Sequence, residues 1–172
     1  MNILFYIASA VAIICTIMVI TRLNAVHALL YLIVSLLSVA LIFFLLGAPF
    51  AAALEVIIYA GAIMVLFVFV VMMLNPGAPS IQNRKQWLRP GAWLGPAVLA
   101  AILLAELVYV ITAGSGSRPV NAGIGPHELS QALFGPYVLG VELASILLMA
   151  GLVGAYHLAR PEAPGVSGGD DQ

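Results

Sequence analysis

The sequence predicts an all-α integral membrane protein with five transmembrane helices. Of its 172 residues, 63% are hydrophobic and 8% are charged, whereas about 25% of the residues in an average soluble domain are charged. The mean hydropathy is +1.15. No apolar segment alternates with polar residues at every second position, as a membrane β-strand would. The composition and the pattern together indicate helices in a bilayer.

Five apolar runs are each long enough to cross the hydrocarbon core, which about 20 helical residues span. The first run lacks the basic start of a signal peptide and exceeds the length of its apolar part, so we expect a spanning helix. Only the helix-breaking residues 47–49 separate the second run from the third. The predicted helices cover residues 2–20, 27–48, 51–74, 91–113 and 136–158.

The basic residues predict the orientation of these helices. With the N-terminus outside the cytoplasm, five of the six Lys and Arg residues lie on the cytoplasmic side and only Arg118 lies outside. Cytoplasmic loops carry the excess of Lys and Arg, so we predict an outer N-terminus and a cytoplasmic C-terminus. Residues 1–160 then form one five-helix membrane domain, and residues 161–172 form a disordered cytoplasmic tail. The five cytoplasmic residues are Arg22, Arg84, Lys85, Arg89 and Arg160.

The composition also limits the chemistry that the chain can perform alone. The net charge of −1 disfavours a nucleic-acid partner. The single cysteine, Cys15, cannot form an intrachain disulfide, a cysteine zinc site or an iron–sulfur cluster. His27 and His157 lie at helix ends, where a capping or interfacial role is more ordinary than haem ligation. We predict no catalytic centre, metal or cofactor in this chain.

Three carboxylates lie within the apolar runs, and each is costly in a bilayer. From the helical rise, Glu55 lies about 6 Å deep, and Glu106 and Glu142 each lie about 9 Å deep, all in the outer half of the core. They either belong to a proton relay as neutral acids, because burial disfavours the charged form, or they bond to neighbouring helices and the interface. The relay is favoured more for Glu55 and Glu142 than for Glu106.

Tyr59-Ala60-Gly61-Ala62, in the middle of the third run, also allows two interpretations. The first is a face of small residues that lets another helix approach closely. The second is a π-bulge, a feature that is frequent at functional sites. The preceding β-branched residues 56–58 mildly disfavour regular helix. A change of helical register here would rotate Glu55 or Tyr59 into or out of a water path.

Three segments resemble a known family: LEVIIYAGAIMVLFVFVVMMLN (54–75), NAVHALLYLIVSLL (24–37) and LFGPYVLGVELASILLMAGLVGA (133–155). They are similar to the J subunits of bacterial NADH-quinone oxidoreductase, respiratory complex I, whose mitochondrial counterpart is chain 6 of NADH-ubiquinone oxidoreductase. The resemblance covers the chain from its start to about residue 160. Family members commonly carry Pro where this chain has Ala25, which changes how rigidly the second helix starts.

The resemblance implies a non-catalytic subunit of the membrane arm that helps to couple quinone reduction to proton translocation in the bacterial inner membrane. It implies the K, A and H subunits and lipid as neighbours, with FMN, iron–sulfur clusters and quinone bound by other subunits. It also implies that the third helix switches between α and π forms around Tyr59 and Gly61. Glu55 and Glu142 match acidic positions of the family, whereas Glu106 matches none.

Two alternatives belong to other functional classes. A small proton-coupled transporter would use Glu55 as its carrier site and would show substrate-dependent proton flux by itself. A pure assembly scaffold would respond to intramembrane substitutions by losing assembly or by not changing at all.

Overall fold

The computed structural model describes residues 2–74, 90–114 and 124–160, and its contacts form two compact units, Met1–Gly125 and Pro126–Gln172. Five helical segments of the described part are long and apolar enough to cross a membrane, which confirms the predicted fold class. The elements are α1 (Asn2–Thr21), α2 (Ala25–Leu45), α3 (Pro49–Leu54), a π-helix (Glu55–Ile63), α4 (Met64–Leu74), α5 (Pro90–Gly114), α6 (Pro126–Phe134) and α7 (Val138–Ala159).

Several predictions concern residues outside these described ranges. They include the cytoplasmic loop after the third span, the outer loop with Arg118, and the disordered tail over 161–172. Four of the six basic residues that predict the orientation also lie outside the described residues. The outer N-terminus and cytoplasmic C-terminus therefore stay predictions.

Helices α1 and α2 form a hairpin held by hydroxyl groups. The Ser38 hydroxyl, fully buried, donates to the Ala8 carbonyl oxygen at 2.5 Å. The hydroxyls of Thr16 and Ser35 lie 3.1 Å apart. Asn24 begins α2 by accepting a hydrogen bond from the Val26 amide on its side chain. Such polar contacts hold helices together where lipid gives no hydrophobic drive for their association.

The turn between α2 and the third span is a Schellman motif. The Gly47 amide donates to the Phe44 carbonyl and the Ala48 amide to the Phe43 carbonyl, which satisfies the last carbonyls of α2. Gly47 has a φ of +86°, a conformation that glycine adopts without steric cost. Pro49 then starts α3, where its missing amide hydrogen costs nothing.

Helix α5 packs against α1 and α2 and closes the core of the first unit. At Gly95 a Cβ atom would collide with the hydroxyl of Tyr31, a buried side chain of α2, so the absence of a side chain lets the two helices meet there. The buried core combines residues of all three helices: Ala8, Val11, Cys15, Tyr31, Val34, Leu41, Leu45, Leu103 and Val110.

The second unit contains α6 and α7. The short helix α6 contains the segment HELSQALF (127–134). The Tyr137 amide donates to the Ala132 carbonyl and the Val138 amide to the Gly135 carbonyl, so the chain turns tightly between the two helices. Every side chain of α7 except that of half-buried Val141 is exposed in the structure.

Candidate functional site

The third span is interrupted by a π-helix nine residues long, Glu55–Ile63. Most π-helices are single-turn bulges inside α-helices, so this stretch is unusually long. Its end is marked by the amide of Met64, which donates to the carbonyl of Tyr59, five residues earlier. The sequence allows either a small-residue face or a π-helical irregularity at Tyr59–Ala62, and the backbone there is π-helical.

The backbone around position 61 leaves little room for a side chain larger than that of glycine. A Cβ atom there would lie 3.2 Å from the carbonyl oxygen of Val56, the residue five positions earlier. That separation is tighter than ordinary van der Waals contact, so any larger side chain pushes against the π turn itself. No other described atom outside the local helix backbone lies within 4 Å of that position. The close approach of another helix within this chain therefore does not explain Gly61.

The π-helix carries three of the four predicted site residues. Glu55 is its first residue and is half-buried, and Tyr59 is 50% exposed. None of its residues is buried, although it packs along one side against α2. A π turn holds one more residue than an α turn, so its loss would rotate the helix on one side by about 100° relative to the other.

Glu142, the fourth predicted site residue, lies on α7 in the second unit. Its side chain is exposed. The structure therefore groups Glu55, Tyr59 and Gly61 on one element and gives Glu142 a separate location within its own unit.

Glu106 is the carboxylate that sequence analysis ranked lowest, yet it is the most buried of the three. It is 6% exposed, and in the described part of the chain neither of its carboxylate oxygens has a hydrogen-bond partner. The missed signal is its spacing: Leu99, Leu103, Glu106 and Val110 recur at intervals of four, three and four, which is one face of a helix. An acid on that stripe faces the core.

The described residues contain no group of three or more His, Cys, Asp and Glu side chains placed to hold a metal ion. The ring of His27 packs edge-on against Trp93, with ring centroids 6.0 Å apart. The only cysteine of the chain, Cys15, is a free buried thiol in the core.

Comparison with known proteins places the chain in one family. Residues 15–158 match the family described as NADH-ubiquinone/plastoquinone oxidoreductase chain 6. The chain is 55% identical over 165 residues to NADH-quinone oxidoreductase subunit J of Escherichia coli strain K12, covering 96% of this chain and 90% of that protein. It is 55% identical over 168 residues to the subunit J of Pseudomonas aeruginosa, covering 95% and 99%. The subunit J of Buchnera aphidicola from Schizaphis graminum is 48% identical over 160 residues, covering 93% and 98%.

Proposed function

The chain belongs to the NADH-ubiquinone/plastoquinone oxidoreductase chain 6 family, and on that premise we propose that it is a non-catalytic membrane-arm subunit of a proton-translocating NADH:quinone oxidoreductase. It lies in the bacterial inner membrane beside the K, A and H subunits. Electron transfer belongs to FMN, iron–sulfur clusters and quinone in other subunits. The contribution of this chain is to help couple quinone reduction to proton movement.

The observation that carries this proposal is the π-helix at Glu55–Ile63. A switch requires two forms within a few kcal/mol of each other, or one form would not be populated. In the π form a Cβ atom at position 61 would lie 3.2 Å from the Val56 carbonyl oxygen, tighter than ordinary contact, while the flanking α3 and α4 are regular helix within the same span. The π-helix is thus suited to be a conformational gate.

The gate acts by rotation. Conversion of a π turn to α would turn Glu55 and Tyr59 relative to α4 by about 100°. The Glu55 carboxyl and the Tyr59 hydroxyl can each donate or accept a hydrogen bond, so their rotation connects or interrupts a chain of water molecules. Glu55 serves as a proton-relay group on that path. Glu142, on α7 of the second unit, is proposed as a further proton-relay group.

Gly61→Val tests the gate, because a β-branched side chain restricts χ1 and presses on the Val56 carbonyl. A bias of about 1.4 kcal/mol changes the ratio of the two forms about tenfold. We expect quinone reductase turnover and membrane energisation, both per assembled complex, to fall together.

Two controls separate a gate from packing. Gly151→Val makes the same change on α7, where no described atom outside the local helix backbone lies within 4 Å of the added Cβ. Val65→Leu changes an exposed α4 side chain next to the π-helix and nearly conserves its volume. Both controls should keep near-normal turnover. Gly61→Val with reduced assembly but normal turnover per complex would refute the gate and leave Gly61 a packing residue.

The relay role is tested by Glu55→Gln and Glu142→Gln, which remove the exchangeable acid and keep the side-chain volume. We expect partial loss of proton translocation with assembly intact, because both carboxylates lie off the membrane midplane. Complete loss of pumping in a fully assembled Glu142→Gln complex would give Glu142 an essential role, contrary to this expectation.

The subunit role itself is tested by blue-native electrophoresis of membranes with NADH-dependent staining. The chain should migrate within a large assembly that stains for NADH oxidation. Migration only as a monomer or a small oligomer would contradict the subunit role and favour an independent transporter.

A further inference from the structure

The Glu106 carboxyl of α5 is a buried acid that the proposed gate does not use. Its side chain is 6% exposed, and neither Oε1 nor Oε2 has a hydrogen-bond partner among the described residues. Removing an ionised carboxylate from water without a partner costs far more than removing a neutral polar group. A carboxyl placed in this way is therefore suited to hold a proton.

None of the described side chains that α1 and α2 contribute to the core around Glu106 is basic. It shares one face of α5 with Leu99, Leu103 and Val110, and that face packs against α1 and α2. The titratable side chains that α1 and α2 contribute to this core are Cys15 and Tyr31. The nearest basic groups along the sequence of these helices are Arg22 and His27, at the connection between them.

Two contacts show where Glu106 lies along the helix axes relative to α2. Gly95 near the start of α5 meets Tyr31 near the start of α2, and the Ile124 amide, beyond α5, donates to the carbonyl of Gly47, beyond α2. The two helices therefore run in the same direction. Glu106 lies 11 residues after Gly95, about 16 Å along the axis, far from the Arg22 end.

At that level α2 presents Leu41 and Leu45, both buried in the core. The nearest buried hydroxyl on α2, towards the start of that helix, is that of Ser38. From the helical rise it lies about 6 Å along the axis from the level of Glu106. Its proton is already donated to the Ala8 carbonyl, but its oxygen can still accept a hydrogen bond. A water molecule between Glu106 and Ser38 would thus find partners on both sides.

We propose that Glu106 is a buried proton-binding site, a neutral carboxylic acid enclosed by α1, α2 and α5 that exchanges its proton with internal water. In each exchange, the acid O–H bond breaks as an O–H bond forms on water. A second proton from that water then binds the other carboxyl oxygen, so the site stays neutral. This site lies on a different element from the π-helix and does not rest on the gate.

The test is infrared spectroscopy of the purified membrane assembly that contains the chain, at neutral pH in H₂O and after transfer to D₂O. Glu106→Gln should remove one carbonyl-stretch component of protonated carboxylic acid, and Glu106→Asp should shift that component. In the wild type, the component should move to its deuterated position in D₂O. Glu128→Gln is the matched control, because Glu128 is an exposed side chain on α6 and its replacement should leave the Glu106 acid component unchanged.

Three results would overturn the proposal. Loss of carboxylate rather than acid intensity in Glu106→Gln would show an ionised side chain. An acid component that does not shift in D₂O would show a sealed group without exchange. Glu106→Met fills about the same space without a carboxyl, so it shows whether assembly requires the carboxyl group itself. If Gln and Met variants both fail to assemble while Asp assembles, the carboxyl is a structural group.

Discussion

The π-helix and the α1–α2–α5 core differ in how they place polar groups within membrane-spanning helices. In the π-helix the backbone is irregular, the side chains are half-buried or exposed, and glycine relieves a contact with a carbonyl. In the core the backbone is regular, the side chains are buried, and the polarity lies in hydroxyls and one carboxyl. The irregular backbone and the buried acid are therefore separate features, and a single substitution can alter one without the other.

The largest effect is expected in the core from Gly95→Ala. The added Cβ would overlap the Tyr31 hydroxyl, and the buried Tyr31 ring has little room to move. Overpacking of this kind costs about 1–3 kcal/mol. We expect a lower temperature of dissociation of the assembled complex on native electrophoresis, with turnover per remaining complex unchanged.

A double-mutant cycle sharpens this expectation. Tyr31→Phe removes the hydroxyl that the new Cβ would meet, so Gly95→Ala in the Tyr31→Phe background should recover part of the lost stability. Tyr31→Phe alone loses only a long contact with the Arg22 guanidinium at 3.5 Å. Strict additivity of the two changes would show that the steric contact is not the cause.

A smaller effect is expected in the π-helix from Gly61→Ala. Alanine favours α-helix over glycine by about 1 kcal/mol, and in the π form its Cβ would lie 3.2 Å from the Val56 carbonyl oxygen. Turnover should fall less than in Gly61→Val, while the dissociation temperature should stay near the wild-type value.

Gly151→Ala provides the comparison for that substitution. Alanine at position 151 raises the helix propensity by the same amount, but position 151 lies in regular helix and the space around its Cβ is open. It should leave turnover unchanged. Equal turnover losses at positions 61 and 151 would contradict a specific role of the π backbone.

The smallest effect is expected from Ser38→Ala, which removes the hydroxyl bonded to the Ala8 carbonyl. Hydrogen bonds between membrane helices contribute on average about 0.6 kcal/mol. The dissociation temperature should fall slightly. Thr112→Ala is the control, because the Thr112 hydroxyl bonds within its own helix to the Val108 carbonyl and is exposed. A larger loss for Thr112→Ala would show that the α1–α2 contact is not the stabilising one.

Hydropathy was sufficient to predict the five candidate membrane-spanning helices, because length and apolarity decide whether a helix can span the bilayer. The Tyr59–Ala62 segment also indicated an irregularity. Its start at Glu55 and its length of nine residues were not predictable. The local sequence indicates only that regular helix is mildly disfavoured here. The π-helix also packs against α2, a contact that the local sequence does not reveal.

Burial was harder to predict than spanning. In a water-soluble helix the polar face is the outer face, but both lipid and the protein core accept leucine, so an apolar helix does not reveal which side faces inward. The spacing of Leu103, Glu106 and Val110 becomes informative only when α1 and α2 are seen to cover that side. From the sequence, a relay role is favoured less for Glu106 than for Glu55, yet in the structure Glu106 is buried and Glu55 is half-buried.

The Schellman turn at Gly47 has a mechanical consequence for the third span. Gly47, Ala48 and Pro49 tie the start of α3 to the last carbonyls of α2, and Ala52 on α3 is buried. The start of the third span is therefore held in place against the end of α2. A change of register in the π-helix would then rotate α4 about this fixed end, so that Glu55 and Tyr59 change their orientation relative to α4 as the rotation is carried along α4 to Leu74.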